Sequence, residues 1–151
     1  MKITHLRVNH LENPLGFDVT HPTFSFVIEE STGKRLQSAR IRVATDEGME
    51  RLCYDSGMCA DLSGLAFTPD AAFAGGTRYY WQVEAVADDG DQGVSTVATF
   101  EGGTAAREWE APFIASPWDE SKPPVFLRDF SVRTDAPVAS ARLYICGLGL
   151  Y

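Results

Sequence analysis

Seven of the 21 carboxyl side chains are considered as candidates for acid–base chemistry. Two carboxyl groups held across a glycosidic bond can protonate the leaving group and activate the attacking nucleophile. No motif places any two of them as such a pair, and a chain of 151 residues always carries spare carboxylates. We therefore predict no catalytic residue here. The candidates by residue type alone are Asp55, Asp61, Asp70, Glu84, Asp119, Glu120 and Asp129.

The histidines and the acidic turn are the next candidates, because they could hold a metal ion. His5, His10 and His21 have no metal-binding spacing such as HExxH. Residues 88–91 (DDGD) suggest calcium, but they lack the further ligands and the terminal Glu of an EF-hand loop. We predict a solvated hairpin turn there, with no metal. Since no phosphate-binding or dinucleotide-binding loop occurs either, no cofactor is predicted.

The cysteines and the N-terminal residues indicate the cellular compartment. Cys53, Cys59 and Cys146 form an odd set without a CxxC pair, which argues against a disulfide framework or a zinc site. We predict reduced and mostly buried thiols; pairing of Cys53 with Cys59 is the alternative for a secreted protein. The opening residues (MKITHLRVNHLENP) contain no long apolar segment and no cleavage site, so we expect no secretory signal and a cytoplasmic location.

The charge balance excludes some partners. Thirteen basic and 21 acidic residues give a formal net charge of −8. Nucleic acid and anionic membrane surfaces both need clustered Lys and Arg, so neither is an expected partner. No apolar run approaches the roughly 20 residues that a membrane-spanning helix needs.

The large aromatic side chains could stack on sugar rings or fill a core. Tyr79 and Trp81 alternate with polar residues on one strand, which favours core positions. Tyr80, Trp109 and Trp118 are the candidates for contact with a ligand or with another domain.

These residues are positioned by short alternating segments separated by turns. We predict strands over residues 3–8, 24–29, 39–43, 52–55, 65–68, 78–87 and 94–101, and no helix. Turn residues at 31–34 (STGK) and 88–91 favour hairpins. About seven such strands predict an all-β, immunoglobulin or fibronectin type III-like antiparallel sandwich. Its predicted core contains Phe24, Phe26, Ile41, Val43, Tyr79, Trp81 and Val83.

The composition changes after residue 103. We predict a sandwich domain over residues 1–103, a docking linker rich in Pro and Trp over 104–122, and the truncated start of a second β-sandwich domain over 123–151. Strands are expected at 126–132 and 139–146. Two strands cannot bury a face alone, so they could pair back on the sandwich or with another copy of the chain.

Seven short motifs share their order with one enzyme family. The motifs are residues 24–26 (FSF), 37–44 (QSARIRVA), 54–57 (YDSG), 78–81 (RYYW), 99–101 (TFE), 109–114 (WEAPFI) and 141–151 (ARLYICGLGLY). The whole set resembles the N-terminal region of bacterial α-L-rhamnosidases of glycoside hydrolase family 78. Residues 77–90 resemble the sixth strand and following turn of fibronectin type III domains, with Tyr79 as the corner tyrosine.

The resemblance implies a parent enzyme that removes terminal α-L-rhamnose from glycosides by inversion. In that family the catalytic carboxylates lie in a later helical barrel, so no catalytic residue carries over to this chain. Phe26 and Tyr54 stand where the family often has Trp, and both keep a large aromatic. The expected role is a non-catalytic accessory module whose partners are the remaining domains of the glycosidase.

Two other functions stay open from the residues. A carbohydrate-binding module would expose an aromatic platform built from Tyr80, Trp109 or Trp118. A protein-interaction module would present a defined partner surface, as sandwiches of this type often do.

Overall fold

The computed structural model describes residues 1–17, 19–103, 112–117, 125–132, 135–138, 141, 143 and 145. It divides into two compact units, Met1–Glu110 and Ala111–Tyr151. Eight strands and no helix occur among the described residues, so the all-β prediction is confirmed. Accordingly, no helix in this part of the chain could cross a bilayer.

The strands all lie in the first unit. In chain order they are β1 (Lys2–Val8), β2 (Leu15–Phe17), β3 (Phe24–Glu29), β4 (Leu36–Ala44), β5 (Leu52–Asp55), β6 (Arg78–Ala87), β7 (Gln92–Val94) and β8 (Ala98–Gly102).

Two sheets supply the two layers. β1 pairs with β3 in a small sheet, and the larger sheet has the order β2-β8-β6-β4-β5, with β7 also paired to β6. The pairs are antiparallel as predicted, except that β2 runs parallel to β8. Because β2 comes early in the chain and β8 late, this parallel pair joins the beginning of the sandwich to its last strand.

The core forms because β6 alternates strictly and β4 alternates from Ala39 to Val43. Along β6 every second residue is buried, from Tyr79 to Ala87. Val43 faces Trp81 and Ile41 faces Val83 across the β4–β6 ladder, and all four side chains are fully buried. The structure buries all seven residues predicted for the core.

Aromatic rings connect the two sheets. Phe24 of β3 lies 4.6 Å from Trp81 and 5.7 Å from Phe100, measured between ring centroids. Phe73, from the segment before β6, packs edge-on against Tyr79 and Phe100 at 5.1 and 5.4 Å. Such edge-to-face pairs add about 0.5–1.5 kcal/mol each beyond the area they bury.

β1 places apolar residues inward despite an irregular spacing. Ile3 and Val8 are both buried although they are an odd number of residues apart. A register shift between Thr4 and Arg7, with His5 at a positive φ of 49°, accounts for this, since an inserted residue turns the following side chains to the other face.

Two strand predictions in the first unit need correction, and one strand was missed. The strand expected at 65–68 is a single bridge between Phe67 and Phe24, because only the backbone of Gly64 and Phe67 bonds to β3. The strand expected at 94–101 is divided into β7 and β8. Ser95 interrupts it, since the Ser95 hydroxyl oxygen accepts the Val83 N–H in place of a ladder carbonyl. β2 was not predicted.

The second unit contains no strand among its described residues. The strand predicted at 126–132 is therefore wrong, since alternation alone does not supply the second backbone that a ladder needs. Of the strand predicted at 139–146, only residues 141, 143 and 145 are described. Several described side chains of this unit are largely exposed: Phe113, Ile114, Val125, Leu127, Phe130 and Leu143.

Candidate functional site

The outer face of the large sheet carries an ionic cluster, and it contains two of the candidate carboxylates. Arg40 of β4 lies between Asp55 of β5 and Glu84 of β6. Its Nε donates to Asp55 Oδ1 at 2.8 Å, and one of its terminal nitrogens lies 3.8 Å from Glu84 Oε2. The hydrogen bond from Arg40, more than any other effect, lowers the pKa of Asp55 from 3.8 to about 2. A group that is always ionised at neutral pH cannot act as a general acid.

Three other described carboxyl groups have displaced pKa values, and all three are lowered. The largest cause is the Arg51 backbone N–H for Asp46, the Thr32 hydroxyl for Asp89 and the Thr32 backbone N–H for Asp91. A glycosidase acid needs the opposite displacement, so that it holds its proton near neutral pH. These groups accept structural hydrogen bonds.

The acidic turn at 88–91 is bonded to the neighbouring turn. Asp88 Oδ1 accepts the backbone N–H groups of Lys34 and Arg35. Asp91 accepts the Ser31 hydroxyl and the Thr32 N–H through Oδ2, and the Met1 amino group through Oδ1 at 3.1 Å. The carboxylates thus join the β3–β4 and β6–β7 turns. No group of three or more potential metal ligands comes together anywhere in the described ranges.

A shallow cavity of about 310 Å³ lies beside these turns. Its wall combines apolar residues such as Ile28 and Leu36 with the charged residues Glu30, Lys34 and Arg35. Among the described residues, the buried side-chain atoms without a hydrogen bond are Thr4 Oγ1 and Trp81 Nε1, and neither belongs to a residue of this wall. The cavity therefore points to no particular ligand.

Tyr79 and Tyr80 lie on opposite faces of β6. The Tyr79 ring is buried, and its hydroxyl oxygen accepts the Ala74 backbone N–H at 3.0 Å. This confirms the corner tyrosine predicted from the sequence. Tyr80 is half-buried on the outer face, in register with Ala44 and Thr99. The other two predicted contact residues, Trp109 and Trp118, lie outside the described residues, so the structure does not bring the three together.

The two described cysteines are free thiols. Cys59 is half-buried, but Cys53 is exposed on β5, so the prediction of mostly buried cysteines is wrong for Cys53. β5 is an edge strand in which alternate side chains face outward, and this placement could not be read from an isolated four-residue segment. Cys146 lies outside the described residues.

Close backbone contacts surround the last residues of the sandwich, and sequence reasoning missed them. The Gly103 N–H donates to the Phe17 carbonyl at 2.7 Å, and the Gly76 N–H donates to the Gly102 carbonyl at 2.7 Å. A Cβ atom at Gly103 would collide with the Gly16 carbonyl oxygen, and one at Gly75 would collide with that of Gly103. Gly75–Gly76 and Gly102–Gly103 are adjacent pairs in the sequence, and a glycine can mark a place where another backbone approaches closely.

Comparison with known proteins gives the family. The family described as Rha78A-like, N-terminal immunoglobulin domain matches residues 3–106. An α-L-rhamnosidase of Streptomyces avermitilis is 32% identical over 123 residues, which cover 78% of this chain and 12% of that enzyme.

Two solved structures have the same fold. The crystal structure of Streptomyces avermitilis α-L-rhamnosidase complexed with L-rhamnose matches 77% of this chain and 12% of its own, with a TM-score of 0.64 and 28% identity. The structure of α-L-rhamnosidase from Dictyoglumus thermophilum matches 68% of this chain and 12% of its own, with a TM-score of 0.60 and 19% identity. The chain spans 12% of the length of these relatives. It belongs to the family of Rha78A-like N-terminal immunoglobulin domains.

Proposed function

We propose that this chain is the non-catalytic N-terminal module of an α-L-rhamnosidase. The observation that carries the proposal is the family match over residues 3–106, together with a relative of that activity of which the chain spans only 12%. The parent enzyme would hydrolyse terminal α-L-rhamnose from glycosides by inversion, with its catalytic carboxylates in later domains.

The chemistry of the described carboxyl groups supports an accessory role. Asp55 and Glu84 both contact Arg40, and each of the four described carboxyl groups with a displaced pKa has that pKa lowered. Inversion needs a protonated acid and a separate base about 6.5–9.5 Å apart with room for water between them. Asp55 and Glu84 share one guanidinium, and the lowered pKa of Asp55 keeps it ionised, so Asp55 cannot supply the protonated acid.

The proposal is tested by measuring hydrolysis of an aryl α-L-rhamnoside with two proteins, this 151-residue chain and the full-length gene product. We expect turnover with inversion in the full-length protein and none in the chain. Turnover by the chain alone would contradict the accessory role. Its absence from both proteins would contradict the enzymatic assignment of the parent.

A carbohydrate-binding role is the alternative that Tyr80 favours, because this half-buried ring lies on the outer sheet face, in register with the polar residue Thr99. Titration of the chain with rhamnose and rhamnosides, followed by tryptophan fluorescence and by NMR, distinguishes the two roles. Saturable binding that Tyr80→Ala abolishes would favour the carbohydrate-binding role. No binding at millimolar sugar would exclude the carbohydrate-binding role.

We also propose that the isolated chain self-associates through its second unit. Leu127, Phe130 and Leu143 are 86%, 84% and 86% exposed, and apolar exposure of this extent promotes association. Light scattering after size exclusion, over a range of concentrations, should show a rising mass. A constant monomer mass would contradict this second proposal.

A further inference from the structure

The edge strand β2 exposes apolar side chains at an unpaired backbone edge. Leu15 is 58% exposed and Phe17 is 54% exposed. Gly16, between them, has a positive φ of 82° and open space where a side chain would be. β8 is the one strand paired with β2 among the described residues, so the other edge of β2 has no ladder partner there. Unpaired apolar edges of this kind tend to bind another polypeptide.

This edge is fixed beside the point where the chain leaves the sandwich. Gly103 bonds to Phe17, and Gly102 bonds to Gly76 on its other side. Because side chains at Gly103 or Gly75 would collide with neighbouring carbonyl oxygens, the three backbone segments can approach each other this closely only with glycine. We call the contacts of Gly75, Gly76, Gly102 and Gly103 with each other and with β2 the glycine clamp. The clamp holds the exit of the chain against β2.

Other exposed apolar residues of the sandwich differ from β2. Leu65 is 84% exposed, but it lies in a loop between Gly64 and Ala66. The opposite edge strand, β5, carries the ion pair of Asp55 with Arg40, and charged side chains protect an edge from pairing. β2 has no charged residue within its three positions. Leu65 is therefore a suitable control for the effect of apolar exposure alone.

A tethered partner fits β2 better than a second copy of the chain. Two half-exposed side chains offer far less area than the roughly 1,200–2,000 Å² that a stable complex of separate proteins buries. A partner on the same polypeptide needs much less, since the covalent connection through Gly103 makes its docking intramolecular. The relatives are long enough to provide such a partner, because the chain spans only 12% of their length.

We propose that β2, with Leu15 and Phe17, is the surface on which the parent polypeptide beyond residue 151 docks, and that the glycine clamp positions that polypeptide against it. This inference rests on the proposed function, since it requires the chain to be a module of a longer enzyme.

Hydroxyl-radical footprinting tests the docking, because it measures the solvent contact of individual Leu and Phe side chains. The labelling of Leu15 and Phe17 is compared between the full-length gene product and the 151-residue chain, with Leu65 as the internal control. We expect labelling of Leu15 and Phe17 to fall by about threefold or more in the full-length protein, since docking removes most of their contact with water. Labelling of Leu65 should not change.

Matched variants of the full-length protein give a second readout. Phe17→Ser should lower its Tm while leaving the Tm of the 151-residue chain unchanged, and Leu65→Ser should change neither. Equal labelling of Phe17 in the two proteins would overturn the proposal. If Phe17 of the 151-residue chain became more protected as the protein concentration rose, the proposal would also be overturned. The occupant of β2 would then be a second copy of the chain.

Rhamnosidase activity of the same full-length preparation separates this inference from the proposed function. Activity without protection of Phe17 contradicts the docking surface and leaves the proposed function intact. Protection without activity supports the docking surface and contradicts the enzymatic assignment.

Discussion

The two faces of the β4–β6 ladder are held together by different interactions. On the inner face, Ile41 and Val43 meet Val83 and Trp81, and all four are fully buried. On the outer face, the same two strands present Arg40 with Glu84 and Arg42 with Gln82. Adjacent residues of one ladder therefore provide an apolar core and a partly hydrated polar surface.

The energies of the two faces differ in size. Burying a large apolar side chain contributes about 1.5–3 kcal/mol, whereas an exposed ion pair contributes about 0–1 kcal/mol. The inner face therefore supplies most of the stability. The outer face favours the correct register, since a one-residue slip would bring Arg40 and Glu84 into the core.

Replacing Trp81 on the inner face should have the largest effect. Trp81→Ala removes a fully buried ring that lies 4.6 Å from the Phe24 ring, and the cavity adds to the lost burial. We expect the free energy of unfolding to fall by about 3–5 kcal/mol, measured by urea unfolding followed by circular dichroism.

Tyr80→Ala is the matched control, because Tyr80 is the preceding residue of the same strand and faces outward. Tyr80→Ala should lower the free energy of unfolding by less than half as much as Trp81→Ala. Equal losses for the two variants would contradict the division of the strand into a buried and a hydrated face.

Tyr79→Phe should have an intermediate effect, because it removes one hydrogen bond and keeps the ring. The Ala74 N–H would lose the hydroxyl oxygen that it reaches at 3.0 Å. We expect a loss of about 0.5–1.5 kcal/mol by urea unfolding. Tyr80→Phe removes a hydroxyl from the outer face and should change the free energy of unfolding by only a few tenths of a kcal/mol, about 0.3 or less. A larger loss for Tyr80→Phe than for Tyr79→Phe would contradict the corner assignment.

Asp55→Asn should have a small effect, and the effect should depend on pH. The folded-state pKa of Asp55 is lowered from 3.8 to about 2, so its contribution is present above pH 3.8 and is lost as the pH falls through 2. Since the pair is partly hydrated, we expect a loss of about 1 kcal/mol or less at neutral pH. The difference from the unmodified chain should disappear near pH 2.

A double-mutant cycle with Arg40→Ala isolates the ion pair. If Arg40 acts through Asp55, the two substitutions should be non-additive at neutral pH and additive near pH 2. Full additivity at neutral pH would show that the pair contributes nothing to stability.

Alternation explains which strands could be predicted from the sequence. The bounds of β6 were predicted as observed, because ten residues alternate without interruption. β2 has three residues and no period to detect. β7 and β8 are separate strands because the Ser95 hydroxyl oxygen accepts the Val83 N–H in place of a ladder carbonyl. The sequence does not show that Val83 lies opposite Ser95, so this break could not be predicted.

Contacts between residues close in the sequence could be predicted, whereas contacts between residues far apart in the sequence could not. The corner role of Tyr79 follows from its strand and turn, and the structure confirms it. The glycine clamp brings Gly16, Gly75 and Gly103 together from three distant positions, so a single sequence gives no sign of their contact. No strand forms at 126–132, because the alternating pattern lies within the segment but a strand also needs a second segment to pair with.

Deleting residues 1–103 from the full-length gene product tests the central claim most directly, with Tm and rhamnosidase activity as the readouts. If the module is non-catalytic and docks on its parent, the shortened enzyme should keep its activity at low temperature. Its Tm should fall by about 5 °C or more through the lost contacts. Unchanged Tm and activity would contradict a stabilising role. Complete loss of activity in a shortened enzyme that still unfolds cooperatively would place catalytic groups in this module and contradict the account.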